Sequence, residues 1–268
     1  MIRNRLRELW QGGRPALNGW LSIGNAFTAE IMAAQGYDSL TIDMQHGALD
    51  YAAALPMLQA LRASGVVPMV RVPWLEPGII MKALDAGALG VICPMINTAA
   101  EAARFVGFMR YPPAGQRSYG PTRAAIAHGG YGTEANDAVL AFAMIETAEG
   151  MANLDAIAAT PGLDGIYVGP ADLTLATQGG RLPPGFDREE PEMIALIRRI
   201  AEACRAHGIR AGLHCGTPDY AARAVGWGYD LTTVSGDSRL LAAAAGASVR
   251  AFRALTDGPL RPAGPEGY

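Results

Sequence analysis

Along this chain, short apolar or β-branched runs alternate with longer Ala- and Leu-rich stretches whose apolar residues recur at helical spacing. The short runs, at 16–21, 39–43, 67–72, 90–93, 141–145, 165–168, 210–214 and 231–234, predict strands. Stretches such as 51–64, 76–86, 99–110, 191–207 and 238–255 predict the helices that follow them. Parallel neighbours cannot be joined by a tight turn, so strand, helix, strand is the pattern of a parallel sheet with crossover helices. Eight such units with no linker between them predict α/β architecture, a single (β/α)8 TIM barrel over residues 1–256. Glycines closing the helical stretches, as in Ala34-Gln35-Gly36 and Asp85-Ala86-Gly87, supply the left-handed stop that each return to the sheet needs. Residues 1–10 predict an N-terminal helix over the barrel floor, with Leu6, Leu9 and Trp10 on its apolar face.

Two stretches break the rhythm. Residues 111–137, rich in Gly, Pro and Arg, are longer than an ordinary connection and read as a functional excursion. Residues 178–187 carry paired glycines and prolines after the sixth strand, and 257–268 read as a flexible arm or an oligomer strap.

Composition narrows the function. The 268 residues are half apolar, enough for one large core, and the net charge of −3 with scattered arginines leaves no basic stripe for nucleic acid. No apolar run approaches a bilayer span, and Arg3, Arg5 and Arg7 are interrupted by Glu8 with no apolar segment or cleavage site after them, which predicts a cytoplasmic protein. Cys93, Cys204 and Cys215 are odd in number and lack CxxC spacing, so neither a disulfide framework nor a zinc site is expected. Lys82, the one lysine, lies inside a helical pattern, and a Schiff-base mechanism would have to use it.

Barrel chemistry sits at the C-terminal ends of strands, where the candidates are Asp43, His46, Arg71, Glu146, Asp172, His214, Ser235 and Asp237. Glu146 and Asp172 end consecutive parallel strands, about 4.8 Å apart, so their carboxylates can converge on one hard cation. Two carboxylates leave most of an octahedral shell to water, and a chelating 2-oxo acid could displace two waters, which suits Mg²⁺ or Mn²⁺. The plain alternative is helix capping, for Asp172 above all. The turn Gly169-Pro170-Ala171-Asp172 aims helix N-terminal amides at a substrate carboxylate. Arg71 interrupts an apolar run and needs an anion: a ligand oxygen, or a structural pair with Asp43, Asp85 or Glu146. Asp43 three residues before His46 permits a contact that orients the imidazole as a base, the alternative being a structural histidine. His214 reads as core or supporting. Arg117, Tyr119 and Arg123 of the excursion could grip a distal carboxylate or phosphate, or pair with acids of a neighbouring subunit.

Asp43-Met44-Gln45-His46-Gly47, Val70-Arg71-Val72-Pro73, Asp85-Ala86-Gly87-Ala88, Pro112-Pro113-Ala114-Gly115-Gln116-Arg117, Ile145-Glu146-Thr147 and Gly169-Pro170-Ala171-Asp172-Leu173 occur in this order. As a set they resemble the HpcH/HpaI aldolase family of class II pyruvate aldolases, over nearly the whole chain. The resemblance implies a divalent cation, Mg²⁺ or Mn²⁺ with Co²⁺ a further candidate, held by Glu146 and Asp172. It implies that Arg71 contacts the keto or enolate oxygen and that His46, with Asp43, serves acid/base chemistry directly or through a water. Asp85 matches an acidic position near that pair, Gly169 and Ala171 match the pyruvate-binding turn, and Leu213 is a further expected substrate contact. The implied activity is cleavage and condensation of 4-hydroxy-2-oxo acids to pyruvate and an aldehyde by a hexamer, with no nucleic-acid or membrane partner. The rival readings are a CoA-thioester lyase of the citramalyl or malyl type and a noncatalytic 2-oxo-acid-binding protein. Gln45 stands where many members have Glu, and Met144 where several have Gln.

Overall fold

The computed structural model describes residues 2–256, so the arm expected over 257–268 lies outside the described residues. Eight parallel strands close into a barrel in chain order, each bonded to the next and β1 to β8: β1 (Ala16–Leu21), β2 (Ser39–Asp43), β3 (Val67–Arg71), β4 (Gly90–Cys93), β5 (Leu140–Ile145), β6 (Gly165–Val168), β7 (Arg210–Cys215) and β8 (Leu231–Val234). Around them run α1 (Arg5–Gln11), α2 (Ala26–Ala33), α3 (Tyr51–Leu61), α4 (Pro77–Asp85), α5 (Ala99–Met109), α6 (Thr122–Ala127), α7 (Ala135–Ala138), α8 (Ala148–Ala152), α9 (Leu154–Ala158), α10 (Pro170–Gln178), α11 (Pro191–Ala206), α12 (Pro218–Gly226) and α13 (Asp237–Leu255). No described helix is long and apolar enough to cross a membrane.

The strands are buried on both faces, which explains why they read as continuous apolar runs rather than as alternation. Where bulky side chains fill the barrel interior, glycine makes room. A Cβ on Gly165 would fall inside van der Waals contact of the Phe142 ring and within 2.5 Å of the Arg210 carbonyl oxygen. Gly165→Ala is expected to lower stability by about 1–3 kcal/mol through overpacking, read as a lower thermal midpoint; an unchanged midpoint would contradict this packing.

Polar residues inside the barrel are paired. Asn18 donates to Thr233 Oγ1 at 2.8 Å and accepts from Ser39 at 2.8 Å and Thr41 at 3.1 Å, while Tyr167 and Thr233 share a 2.5 Å hydroxyl contact. These bonds satisfy groups whose burial would otherwise cost stability. The expected floor helix is α1. Leu6, Leu9 and Trp10 are buried beneath the barrel, and the Trp10 indole donates to the Asp230 carbonyl at 3.0 Å.

The 111–137 excursion joins α5 to β5, so it is a return at the barrel floor, away from the strand C-termini. Arg117 pairs with Asp85 at 2.6 Å, Arg123 donates to the Ala86 and Leu58 carbonyls, and Tyr119 packs against Tyr111. None of the three lines the pocket of its own chain, so of the two readings given for them a grip on substrate is not met within one chain.

α13 departs from its neighbours. The apolar face of α11, Met193, Ile197, Ile200 and Cys204, is buried. In α13, by contrast, only Asp237 is buried, and Leu241 and Phe252 are 62% and 60% exposed. Where an eighth helix would cover β8 and β1, a cleft of about 330 Å³ lies open, walled by Leu17, Tyr37, Ala221, Val225 and Val234.

Candidate active site

The strand C-termini open into a cavity of about 480 Å³. Of the residues expected there, Asp43, His46, Arg71, Gly169, Ala171 and Asp172 line it, with Met144 and His214. Glu146 lies just behind the wall, nearly fully buried, its Oε2 2.6 Å from where a Cβ of Gly169 would sit. That position is closed to any larger residue, because the same Cβ would also meet the Met144 methyl.

Glu146 follows the last residue of β5 and points inward with Met144, two residues before it, as strand alternation requires. Its Oε1 accepts the Met95 amide at 2.9 Å, an amide presented by a loop residue in the left-handed region (φ 56°). Among the described residues Oε2 has no donor. Burial pushes the Glu146 carboxyl up to about 7; the Met95 bond opposes this, and the negative charge of Asp172 adds to it. Asp172 stands in the first turn of α10, whose N-cap residue is Gly169, and among the described residues its side chain takes part in no hydrogen bond. The capping alternative therefore does not describe it. Two carboxylates share the site with free oxygens, and among the described residues no cluster of three or more His, Cys, Asp or Glu surrounds them. Such a donor set fits a hard cation that keeps several waters, not a thiolate- or imidazole-bound metal.

Arg71, the last residue of β3, sits beside Asp43, the last residue of β2, in register. Its Nε and Nη2 grip the two carboxylate oxygens at 2.8 and 2.6 Å, and the guanidinium lies 4.8 Å over the Trp20 ring. The ion-pair alternative is thus realised, yet among the described residues Nη1 has no partner and remains available to a ligand oxygen in the cavity. Asp43 also accepts from the Trp20 indole at 3.1 Å and from the Gln45 and His46 amides at 3.1 and 3.2 Å. Burial alone would raise its carboxyl, but the Arg71 bonds and charge outweigh this and hold it below the usual carboxylate range.

Three expectations change. Asp43 meets the backbone of His46 rather than its ring, because Arg71 occupies the carboxylate and the tight turn directs amides at it; the imidazole is exposed at the rim with no partner from Asp43. Asp85 is the last residue of α4, which runs antiparallel to the strands and so ends at the floor, where Asp85 pairs with Arg117. Leu213 is fully buried and absent from the cavity wall, since strand alternation turns it toward the helices while His214 faces in.

His214 proves more central than expected. Its ring packs edge-on to Trp20 at 4.8 Å and against Phe186 at 4.5 Å. Burial, then the charge of Arg71, holds its pKa down to about 3, so it is a neutral imidazole in use. Sequence reasoning passed over Trp20, Phe186 and Arg239, which also line the cavity. An aromatic one residue before the end of β1 and a cation in the first turn of α13 were the available signals. Asp237, buried, accepts the Ser22 and Ile23 amides at 2.8 and 3.1 Å and fixes the β8 loop to the β1 loop, while Ser235 before it has φ 56°.

Residues 18–244 match the family model described as HpcH/HpaI aldolase/citrate lyase. The chain is 41% identical over 253 residues to a hydroxypyruvate/pyruvate aldolase of Rhizorhabdus wittichii, covering 94% of this chain and all of that one. It is 35% identical to a 4-hydroxy-2-oxo-heptane-1,7-dioate aldolase of Salmonella dublin, over 94% of this chain and 96% of the other. The crystal structure of an HpcH/HpaI aldolase/citrate lyase family protein from Burkholderia cenocepacia is similar at 34% identity and a TM-score of 0.85, covering 94% of this chain and 100% of that one.

Proposed function

The chain belongs to the HpcH/HpaI aldolase/citrate lyase family, and from that premise we propose that it is a carbon–carbon lyase, a class II pyruvate aldolase that cleaves and forms 4-hydroxy-2-oxo acids. The observation that carries the reading is the pair of carboxylates at one end of the cavity, Asp172 in its wall and Glu146 just behind it with Oε2 unbonded to any described residue, beside Arg71, whose Nη1 has no partner among the described residues. Mg²⁺ or Mn²⁺ held by Glu146 and Asp172 would offer open positions to a chelating 2-oxo acid and draw electrons toward its keto oxygen.

The chain's own groups supply the rest. The first-turn amides of Ala171 and Asp172 lack intrahelical acceptors and receive the substrate carboxylate. Arg71 is fixed by Asp43 and Trp20, so its Nη1 donates, without reorganising, to the keto oxygen on which charge develops as C3–C4 breaks. His46 takes the C4 hydroxyl proton, directly or through a water, and the C3–C4 electron pair moves into the pyruvate half as the aldehyde leaves. Protonation at C3 gives pyruvate. The Trp20 and Met144 side chains line the chamber and limit water around the carbanionic carbon. The deciding experiment incubates pyruvate, Mn²⁺ or Mg²⁺ and a panel of aldehydes and follows product. New 4-hydroxy-2-oxo acid supports the proposal, and pyruvate binding without exchange or addition would replace it with a noncatalytic binding protein.

The exposed α13 and the open cleft beside β8 support a homo-oligomer, a hexamer on the family resemblance, in which α13 of one copy covers the cleft of another. Light scattering on Leu241→Glu combined with Phe252→Glu is expected to show a smaller species than wild type. A wild-type monomer would refute the assembly. The three buried free thiols suit a cytoplasmic location.

A further inference from the structure

The cavity has two cationic side chains in its wall, Arg71 and Arg239. Arg71 is neutralised by both oxygens of Asp43. Arg239 has neither an ion pair nor a hydrogen bond to any described residue, and its guanidinium carbon lies 5.1 Å over the Phe186 ring. It also stands in the first turn of α13, where the positive end of the helix dipole disfavours a cation. An unpaired cation at that position gains most from an anion brought by a ligand.

The wall between the two arginines is continuous. Arg71 lies over Trp20, the Trp20 ring meets the edge of His214, His214 packs on Phe186, and Phe186 carries Arg239. The two residues that follow Phe186 anchor it to the turn that opens α12. Asp187 accepts the Gly216 amide at 2.7 Å and the Thr217 hydroxyl at 2.6 Å, and the Arg188 carbonyl accepts the Tyr220 hydroxyl at 2.8 Å. A substrate with its 2-oxo end at Arg71 therefore lies in the same cavity as a second positive charge, that of Arg239. Arg239 is exposed at the cavity mouth, with Leu175, Pro184 and Phe186 beside it in the same wall.

We propose that Arg239 is a specificity-determining residue of this site, selecting acceptor aldehydes whose far end carries an anionic group, with Phe186 as the platform for its guanidinium. The inference rests on the aldolase reading and names the acceptor class that reading leaves open. A carboxylate and a phosphate present the same chemistry to a guanidinium fork, and matched pairs of probes separate them.

The test measures kcat/KM for addition to pyruvate with succinic semialdehyde against butanal, and with glyceraldehyde 3-phosphate against glyceraldehyde, in wild type, Arg239→Gln, Arg239→Lys and Phe186→Ala. The neutral aldehyde in each pair is the internal reference for folding. Wild type should prefer the anionic member of at least one pair, and Arg239→Gln should reduce that preference about tenfold, chiefly through the aldehyde KM. Lysine should restore part of it, and Phe186→Ala should reduce it by less than Arg239→Gln does. The pair that responds identifies carboxylate or phosphate. Equal ratios in wild type and Arg239→Gln, or a neutral preference in both wild-type pairs, would overturn the assignment. Addition of no aldehyde by wild type would instead sink the aldolase reading. Arg239 would then be judged by equilibrium titration with succinic semialdehyde, where tighter binding to wild type than to Arg239→Gln upholds the inference and equal binding ends it.

Discussion

Asp172→Asn and Glu146→Gln are each expected to slow exchange of the pyruvate methyl protons in D₂O by on the order of 1000-fold, as followed by NMR. The substitutions keep size and remove charge. Asp172 is exposed and makes no hydrogen bond, so its change costs the fold little, and the side-chain amide introduced by Glu146→Gln retains an oxygen able to accept the Met95 N–H. A loss of exchange with an unchanged thermal midpoint thus reports the cation site and not the scaffold. Chelation with EDTA should abolish exchange by wild type, with recovery on adding Mn²⁺ or Mg²⁺, whereas the variants should recover only at much higher metal concentration. Full exchange by either variant, or by chelator-treated wild type, would remove Glu146 and Asp172 from the chemistry.

Asp43→Ala is expected to destabilise the protein by about 3–5 kcal/mol, because it strands the buried Arg71 guanidinium without its anion. The same change frees the Trp20 indole and two backbone amides, and should cost activity by releasing Nη1 from its fixed direction. Thermal and denaturant unfolding read the first effect, and pyruvate exchange reads the second. Acid carries the same signature. The Asp43 carboxyl is held below its ordinary range in the folded chain, so the stability it contributes is fully present above the unfolded aspartate pKa. It is lost as pH falls through the depressed folded value. Wild type should therefore lose more stability than Asp43→Ala over that acid interval, and parallel curves for the two proteins would show that the pair contributes no such term.

Much of this was legible from local pattern. All eight strands could be located because both faces of a barrel strand are apolar, and errors at the ends of β3, β5 and β7 amount to single residues. The placement of Asp172 and Arg71 in the cavity wall, with Glu146 just behind it, was legible because a charge at the end of an apolar run needs a reason. What escaped was direction and distance across the ring. Spacing could not reveal that Arg71 would fill the Asp43 carboxylate and leave the His46 ring free, since that depends on the register of β2 against β3. The excursion after Tyr111 stood out by length, but length does not say at which end of the barrel it lies. Phe186 and Arg239 meet only because a glycine- and proline-rich loop folds back over the start of α13, a contact between segments far apart in sequence.

The closure of β1 on β8 also has a consequence for synthesis. That junction is fixed at three levels: the Trp10 indole and Ala16 amide on the Asp230 carbonyl, Asn18 on Thr233, and the Asp237 carboxylate on the amides of Ser22 and Ile23. Every partner on one side is made first and every partner on the other nearly last. A nascent chain that has completed seven units still has two unpaired sheet edges, and it remains open to pairing with other chains until the segment through Asp237 clears the ribosome. Translation pauses or truncations just before that point should therefore yield aggregates, while a circular permutant that joins β8 directly to β1 early in its chain should close sooner.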